Sequence, residues 1–286
     1  MVYLSQFRFP DAERETDFLF SLKMTCYDTV YPYGILSRHH LRQIDFEPVT
    51  IFYGGNGCGK TTALNVIAEK LRLERSTLYN RSNFFEQYLN ECQCVCSRNL
   101  PKESCAVTSD DVFDFMLNLR CLNEGIDGRR EELMEDYLDA KYTPFRLNSL
   151  DDYEKLKKVN SARSSTKSKY IRKNLKDNVR EHSNGESAFL YFGNKIKEHA
   201  LYLLDEPENS LSPEKQKELL RFLEDSARFF QCQFVIATHS PFLLSMKGAK
   251  IYDFDEDPVD VKKWTRLGSV RQYYEFFKEH KDEFED

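Results

Sequence analysis

The chain has 286 residues, 41% of them hydrophobic and 31% charged, with a formal net charge of −6. That balance suits a soluble globular protein of one generous domain or two small ones and excludes a disordered chain. No apolar run of about 18 residues is present to cross a membrane, Met1–Pro10 lacks the basic start and apolar core of a secretory signal, and the bulk charge speaks against a dedicated nucleic-acid binder; a cytoplasmic location is expected.

Taken in chain order, the first clear element is Val49–Tyr53, a β-branched and aromatic run bounded by Pro48 and Gly54 that predicts a strand. Thr61–Arg72 then sets Ala63, Leu64, Ile67, Ala68 and Leu71 at helical spacing. Between them Gly54, Gly55, Asn56, Gly57, Cys58, Gly59, Lys60, Thr61 and Thr62 satisfy the pattern GxxxxGK[ST]. Glycines let a backbone wrap a triphosphate so that its N–H groups point at the oxygens, and the following helix start adds positive potential. Lys60 would neutralise the β- and γ-phosphates of ATP, and Thr61 would ligate Mg²⁺ through its hydroxyl.

The next stretch, from Arg75 to Asn148, divides less readily. Cys92, Cys94, Cys96 and Cys105 cluster, but spacing by two and the lack of a second CxxC or HxxxH pair favour reduced thiols over a zinc site. Asp110–Leu119 reads as a helix capped by Ser109 or Asp110, and Glu131–Leu138 as another. Lys155–Arg180 holds ten Lys or Arg against one acid, Asp177, among several serines. That composition predicts a solvated, partly mobile basic segment.

Ser183, Gly185 and Glu186 open the next helix, Glu186–Lys197. Two readings fit: an anion-binding helix start, or a capping box of Ser183 with Glu186. Ala200–Leu204 is a buried strand that ends in the acids Asp205 and Glu206. Asp205 would hold the magnesium shell, and Glu206 would orient and deprotonate the attacking water. Ser212 caps a helix with Pro213 at its first position and Leu219, Leu220 and Leu223 on one face. Gln233–Ala237 is a second buried strand leading to His239, placed to reach a γ-phosphate. The aromatic stretch Tyr273–Phe284 reads as a docking helix, core or interface. Buried strands alternating with amphipathic helices predict an α/β fold with a largely parallel sheet and chemistry at the carboxyl ends of its strands.

A P-loop, a serine-glycine signature, Leu-Leu-Asp-Glu-Pro-Glu and a strand ending in histidine, in that order, resemble the ABC-type ATPases. Ile236–Ser245 and the Ser-x-Gly-Glu signature look like the soluble SMC, RecF and OLD-like branch, small standalone bacterial proteins often labelled only "AAA family ATPase". The resemblance implies one P-loop NTPase domain of ABC-ATPase type, its parallel sheet flanked by helices. A nucleotide-binding lobe would span about 1–85 and 190–286, with an inserted helical signature lobe at about 86–189. It also implies a head-to-tail homodimer sandwiching two ATPs. Ser183, Gly185 and Glu186 of one copy would meet the γ-phosphate held by Lys60 of the other, and Glu208–Leu211 would communicate between the sites.

Departures from the family pattern are visible. His182 and Asn184 replace the usual hydrophobic residue and second glycine of the signature, and neither Gln87 nor Gln93 makes a secure glutamine loop. Thr108–Asp111 would take that position, after a short strand at Ala106-Val107, with Asp110 approaching Mg²⁺ through water. Only 122 residues lie between Lys60 and Ser183, too few for long coiled-coil arms. Tyr27–Gly34 offers either aromatic faces for adenine or a plain turn built on Pro32 and Gly34.

The expected function is a nucleotide-driven dimeric switch, coupled to DNA through Lys155–Arg180 or to a protein effector, in DNA repair or phage defence. A transporter's nucleotide-binding subunit would need a glutamine-type signature. A P-loop kinase would need neither His239 nor the serine-glycine motif.

Overall fold

The computed structural model describes residues 1–22, 26–144, 146, 152–175, 177–178, 184–209 and 211–284. Two compact units divide the chain, one formed by Met1–Val112 with Asn184–Asp286 and the other by Phe113–Ser183.

In the first unit β1 (Leu4–Arg8) is followed by α1 (Ala12–Ser21), whose N-cap Asp11 accepts a hydrogen bond from the Arg14 amide. β2 (Gln43–Asp45) returns beside β1, and β3 (Val49–Tyr53) follows with all five residues buried, the mark of a strand covered on both faces. α2 (Lys60–Lys70) lays Ala63, Leu64, Val66, Ile67 and Ala68 into the main core against Leu201, Leu203 and Val235. α3 (Phe85–Glu91) adds Phe85 and Tyr88, and β4 (Gln93–Cys96) pairs with the free side of β1, completing an antiparallel sheet β2-β1-β4. β5 (Cys105–Thr108) enters a second sheet, and α4 (Ser109–Tyr142) runs on into the second unit.

That second unit also holds α5 (Tyr153–Ser164) and α6 (Lys167–Asn174) and has its own small core of Leu133, Tyr137, Ala162, Tyr170 and Ile171. The chain rejoins the first unit with α7 (Asn184–Lys195), β6 (Leu201–Asp205), α8 (Pro213–Phe229) and β7 (Gln233–Ala237). It finishes with a one-turn α9 (Pro241–Leu244), β8 (Lys250–Asp253), β9 (Asp260–Val261) and α10 (Gly268–Glu279).

The six-stranded sheet runs β5-β6-β7-β3-β8-β9, parallel throughout except for the last pair. Its register aligns Thr108 with Asp205, Asp205 with Ala237 and Ala237 with Phe52. The segments that leave these strands therefore emerge side by side, the crevice position in which open α/β sheets bind ligands. Gln233, wholly buried, joins the two sheets: its Oε1 accepts from the amides of Tyr3 and Leu4 at 2.7 and 2.9 Å, and its Nε2 donates to the Leu4 carbonyl at 2.8 Å.

The structure revises several expectations. The helices predicted at Asp110–Leu119 and Glu131–Leu138 are one continuous α4; Gly125 and Gly128 fall inside it, where no neighbour lies within 4 Å of an added Cβ. Each glycine costs a helix about 1 kcal/mol, too little to break one this long. The basic run is helical over α5 and α6, with Val159, Ala162, Tyr170 and Ile171 buried beneath its charges. The second unit is narrower than 86–189 because β4 and β5 pair into the two sheets of the first. Tyr273, Tyr274, Phe276, Phe277 and Phe284 are not core: each is at least half exposed, and Val270 is the buried residue of α10.

Candidate functional site

Glycine chemistry shapes the loop between β3 and α2. Gly59 heads α2 at φ +99° with no side-chain cap, so the first amides of the helix point outward for a ligand. A Cβ at Gly59 would lie 3.1 Å from Leu36 Cδ2 and 3.2 Å from Ile35 Cγ2; one at Gly54 would lie 2.6 Å from Cys58 Sγ. Lys60 is buried and donates to the carbonyls of Gly54 and Gly55 at 2.7 and 2.8 Å, curling its ammonium into the loop. At the loop's entry Asp255, just past β8, accepts from the Gly55 amide at 2.8 Å.

Across the sheet the acid pair meets this loop. Thr61 Oγ1 donates to Asp205 Oδ1 at 3.2 Å, joining the hydroxyl and carboxylate predicted to share a metal. Burial pushes the Asp205 carboxyl up to about 6; the charges of Glu206 and Glu208 push the same way, opposed by the Thr61 bond and by Lys60. A partly buried carboxylate and a hydroxyl, both hard oxygen donors beside the loop's lysine, fit a Mg²⁺–phosphate pair.

Glu206 stands at φ +48°, its amide donating to the Ala237 carbonyl at 2.9 Å and its Oε2 accepting from Asn209 Nδ2 at 3.0 Å. Left-handed backbone is costly for a glutamate and is found where surrounding structure holds a side chain in a set direction. His239 Nδ1 lies 3.8 Å from Glu206 Oε1 and 3.7 Å from Glu208 Oε1, with about half of its side chain exposed.

A cavity of about 470 Å³ opens over the loop, walled by Asn56, Gly57, Gly59, Lys60, Thr61, Thr62 and Glu206 on one side and by Ile35, Arg38 and His39 on the other. Sequence reading did not single out these last three. They sit on a turn pinned by Glu15, whose buried carboxylate accepts from the Gly34 amide and Ser37 Oγ, both at 2.6 Å. Among the described residues the side chains of Arg38 and His39 have no hydrogen-bond or ion-pair partner. In the aromatic segment before the turn, Tyr33 is buried and stacks on Phe18 at 4.2 Å, while Tyr31 packs on Phe85 and reaches Thr62 Oγ1 at 3.3 Å.

The remaining predicted residues fall elsewhere. Gly185 and Glu186 open α7 and are not walls of the cavity, and Ser183 lies outside the described residues. Asp110 is exposed on the first turn of α4. Its neighbour Asp111 is the buried acid, accepting from the Thr108 amide and Oγ1 at 2.7 and 3.0 Å. Thr108 stays level with Asp205 across the β5–β6 pair. Cys92 is buried on the edge of the small sheet, its thiol pushed up by burial, and all eight cysteines are unpaired. No helix among the described residues is long and apolar enough to cross a membrane.

Comparison with known proteins adds a family. The model described as "ABC transporter" matches residues 43–209, more than half of the chain. An AAA-domain model associated with type IV toxin–antitoxin systems matches residues 186–245. No curated protein matches the sequence. Similar solved structures include an Smc head domain with an extended coiled coil, bound to the C-terminal domain of ScpA, from Pyrococcus furiosus. It is 12% identical, with a TM-score of 0.44, over 98% of this chain and 100% of that one. The ATP-binding cassette MJ0796, a dimer in a post-hydrolysis state with ADP and Pi, is 12% identical with a TM-score of 0.41, over 93% and 100%. The SMC head domain from Thermotoga maritima is 11% identical with a TM-score of 0.37, over 88% and 94%.

Proposed function

This chain belongs to the ABC transporter family of ATP-binding proteins, and from that premise we propose that it hydrolyses ATP as a dimeric switch whose two states are set by the γ-phosphate. The observation that supports this best is the meeting of Thr61 with Asp205 directly below a cavity walled by Lys60 and Glu206. The uncapped amides of α2 and the Lys60 ammonium bind and orient the triphosphate. Thr61 and Asp205 would hold Mg²⁺, which neutralises phosphate charge when bound. Glu206 orients the attacking water and takes its proton, and His239 reads the terminal phosphate. Ser183, Gly185 and Glu186 of a second copy would complete the site, since neither Gly185 nor Glu186 walls the cavity of its own chain.

What the switch drives follows from charge. Lys158, Lys167, Lys169, Arg172 and Lys173 are exposed on α5 and α6, and the charged group of none of them pairs with another described residue. This favours a nucleic-acid backbone as the partner, with DNA repair or phage defence as the setting. A protein effector is the second reading, supported by the acidic overall charge.

The deciding experiment compares wild type with Glu206→Gln. The variant should bind ATP normally, release phosphate about 10²–10⁴-fold more slowly, the usual worth of a general base, and accumulate as an ATP-bound dimer. Phosphate release at the wild-type rate removes Glu206 from the chemistry. DNA affinity that falls steeply with added salt supports the backbone reading; no DNA binding at low salt leaves the effector reading.

A further inference from the structure

Glu208 has no part in the scheme above, yet it is the best-held carboxylate in the site. Its side chain is 4% exposed, and its Oε1 accepts three hydrogen bonds: from Thr238 Oγ1 at 2.5 Å, the His239 amide at 3.0 Å and the Ser240 amide at 3.2 Å. These are the three consecutive residues of the turn that carries the histidine. Its other oxygen, Oε2, is buried with no hydrogen-bond partner among the described residues. Such an arrangement carries a desolvation cost, tolerated where a surrounding geometry depends on it.

A second link joins the same two segments. Ser240 Oγ donates to Gln216 Oε1 at 2.6 Å, and Gln216 Nε2 donates to the Leu211 carbonyl at 3.0 Å. Asn209 is tied back to Glu206 through both its amide and its side chain. The loop after the acid pair and the turn after β7 are thus one hydrogen-bonded block, with Glu208 at its centre.

We propose that Glu208 is the positioning residue for His239, fixing both the backbone of its turn and the direction of its ring. Two carboxylates flank His239 Nδ1 at nearly equal distance, Glu206 at 3.8 Å and Glu208 at 3.7 Å. Glu206 is the more exposed of the two and faces the cavity; Glu208 is enclosed. A slight turn of the ring toward Glu208 closes a hydrogen bond that keeps the proton on Nδ1 and leaves Nε2 toward the phosphate. Carboxylates behind functional histidines set the tautomer in this way. Glu208 is enclosed and is not a wall of the cavity, so its effect passes through His239. The inference rests on the reading of His239 given under Proposed function.

A mutant cycle of Glu208→Ala with His239→Ala tests it, measuring kcat, ATP affinity and thermal midpoint on the full chain. Glu208→Ala should lower kcat about 10–100-fold while ATP affinity stays within about threefold, and Glu208→Gln, which keeps an oxygen acceptor, should recover most of the loss. In the His239→Ala background, Glu208→Ala should produce no further fall in kcat, because coupled residues are non-additive. Multiplicative losses in the double variant would overturn the proposal, as would a Glu208→Gln variant no better than Ala. Should Glu208→Ala fail to fold, Thr238→Val removes one donor from the same oxygen; it should lower kcat in the His239 protein and leave it unchanged in His239→Ala. Wild type that releases no phosphate would sink the ATPase reading and this inference together. Wild type that hydrolyses ATP with an additive cycle would sink this inference alone.

Discussion

Asn in place of Asp205 should make the resting protein more stable while removing its use of Mg²⁺. The carboxyl is pushed from its ordinary 3.8 to about 6, first by burial and then by the charges of Glu206 and Glu208. Between about pH 4 and pH 6 the folded chain holds a proton that the unfolded chain has released, so unfolding free energy falls as pH rises through that window. At about 1.4 kcal/mol per pH unit the rise corresponds to ~3 kcal/mol of destabilisation, fully present above about pH 7. Residual solvent contact screens part of this, leaving about 1.5–3 kcal/mol. Asn keeps an oxygen for the Thr61 hydroxyl and carries no charge to desolvate. Urea unfolding of metal-free, nucleotide-free protein should therefore show Asp205→Asn more stable than wild type by that amount at pH 8, with the gap narrowing to about a third at pH 4.5. Adding Mg²⁺ and ATP should reverse the order, because only wild type gains the ligand's binding energy. Equal stabilities at pH 8, or a gap that ignores pH, would refute the reasoning.

Lys60→Ala should weaken ATP binding by about 10²-fold or more, the cost of leaving phosphate charge without its buried partner; fluorescent-nucleotide titration gives the answer, and retained affinity would move the nucleotide elsewhere. Gly59→Ala meets Leu36 and Ile35 at 3.1 and 3.2 Å in a left-handed backbone. It should cost about 1–3 kcal/mol in thermal stability and reduce ATP binding with it. Arg38→Ala should leave the thermal midpoint unchanged but weaken ATP by about 10–100-fold, the loss of one charge-assisted hydrogen bond; unchanged affinity would take Arg38 off the nucleotide.

Legibility in the sequence followed the range of the interactions. The strand, loop and helix from Val49 to Lys70 were readable because their signals are contiguous: β-branched residues, glycines, then helical spacing. β6 and β7 were readable for the same reason, as apolar runs ending in polar residues. The antiparallel sheet was not, since β1 shows no strict alternation and β2 has only three residues. Arg38 faces the loop only across the cavity, while Asp255 and Glu208 hold residues far along the chain; Asp255 accepts from an amide 200 positions away. No local pattern announces such a contact, although Glu208, an acid following an acid pair and a proline, stood within the segment assigned to communication between sites. The aromatics of α10 did not join the core because helical spacing records which residues could be buried, not what is present to cover them.

The buried amide of Gln233 makes the first residues of the chain part of the floor of the molecule. Its three bonds to Tyr3 and Leu4 substitute for a missing stretch of backbone pairing, and they fall at the root of the strand whose far end delivers His239. Trimming four residues from the start would strand a side chain in dry surroundings, at about 1–3 kcal/mol for each polar group left alone.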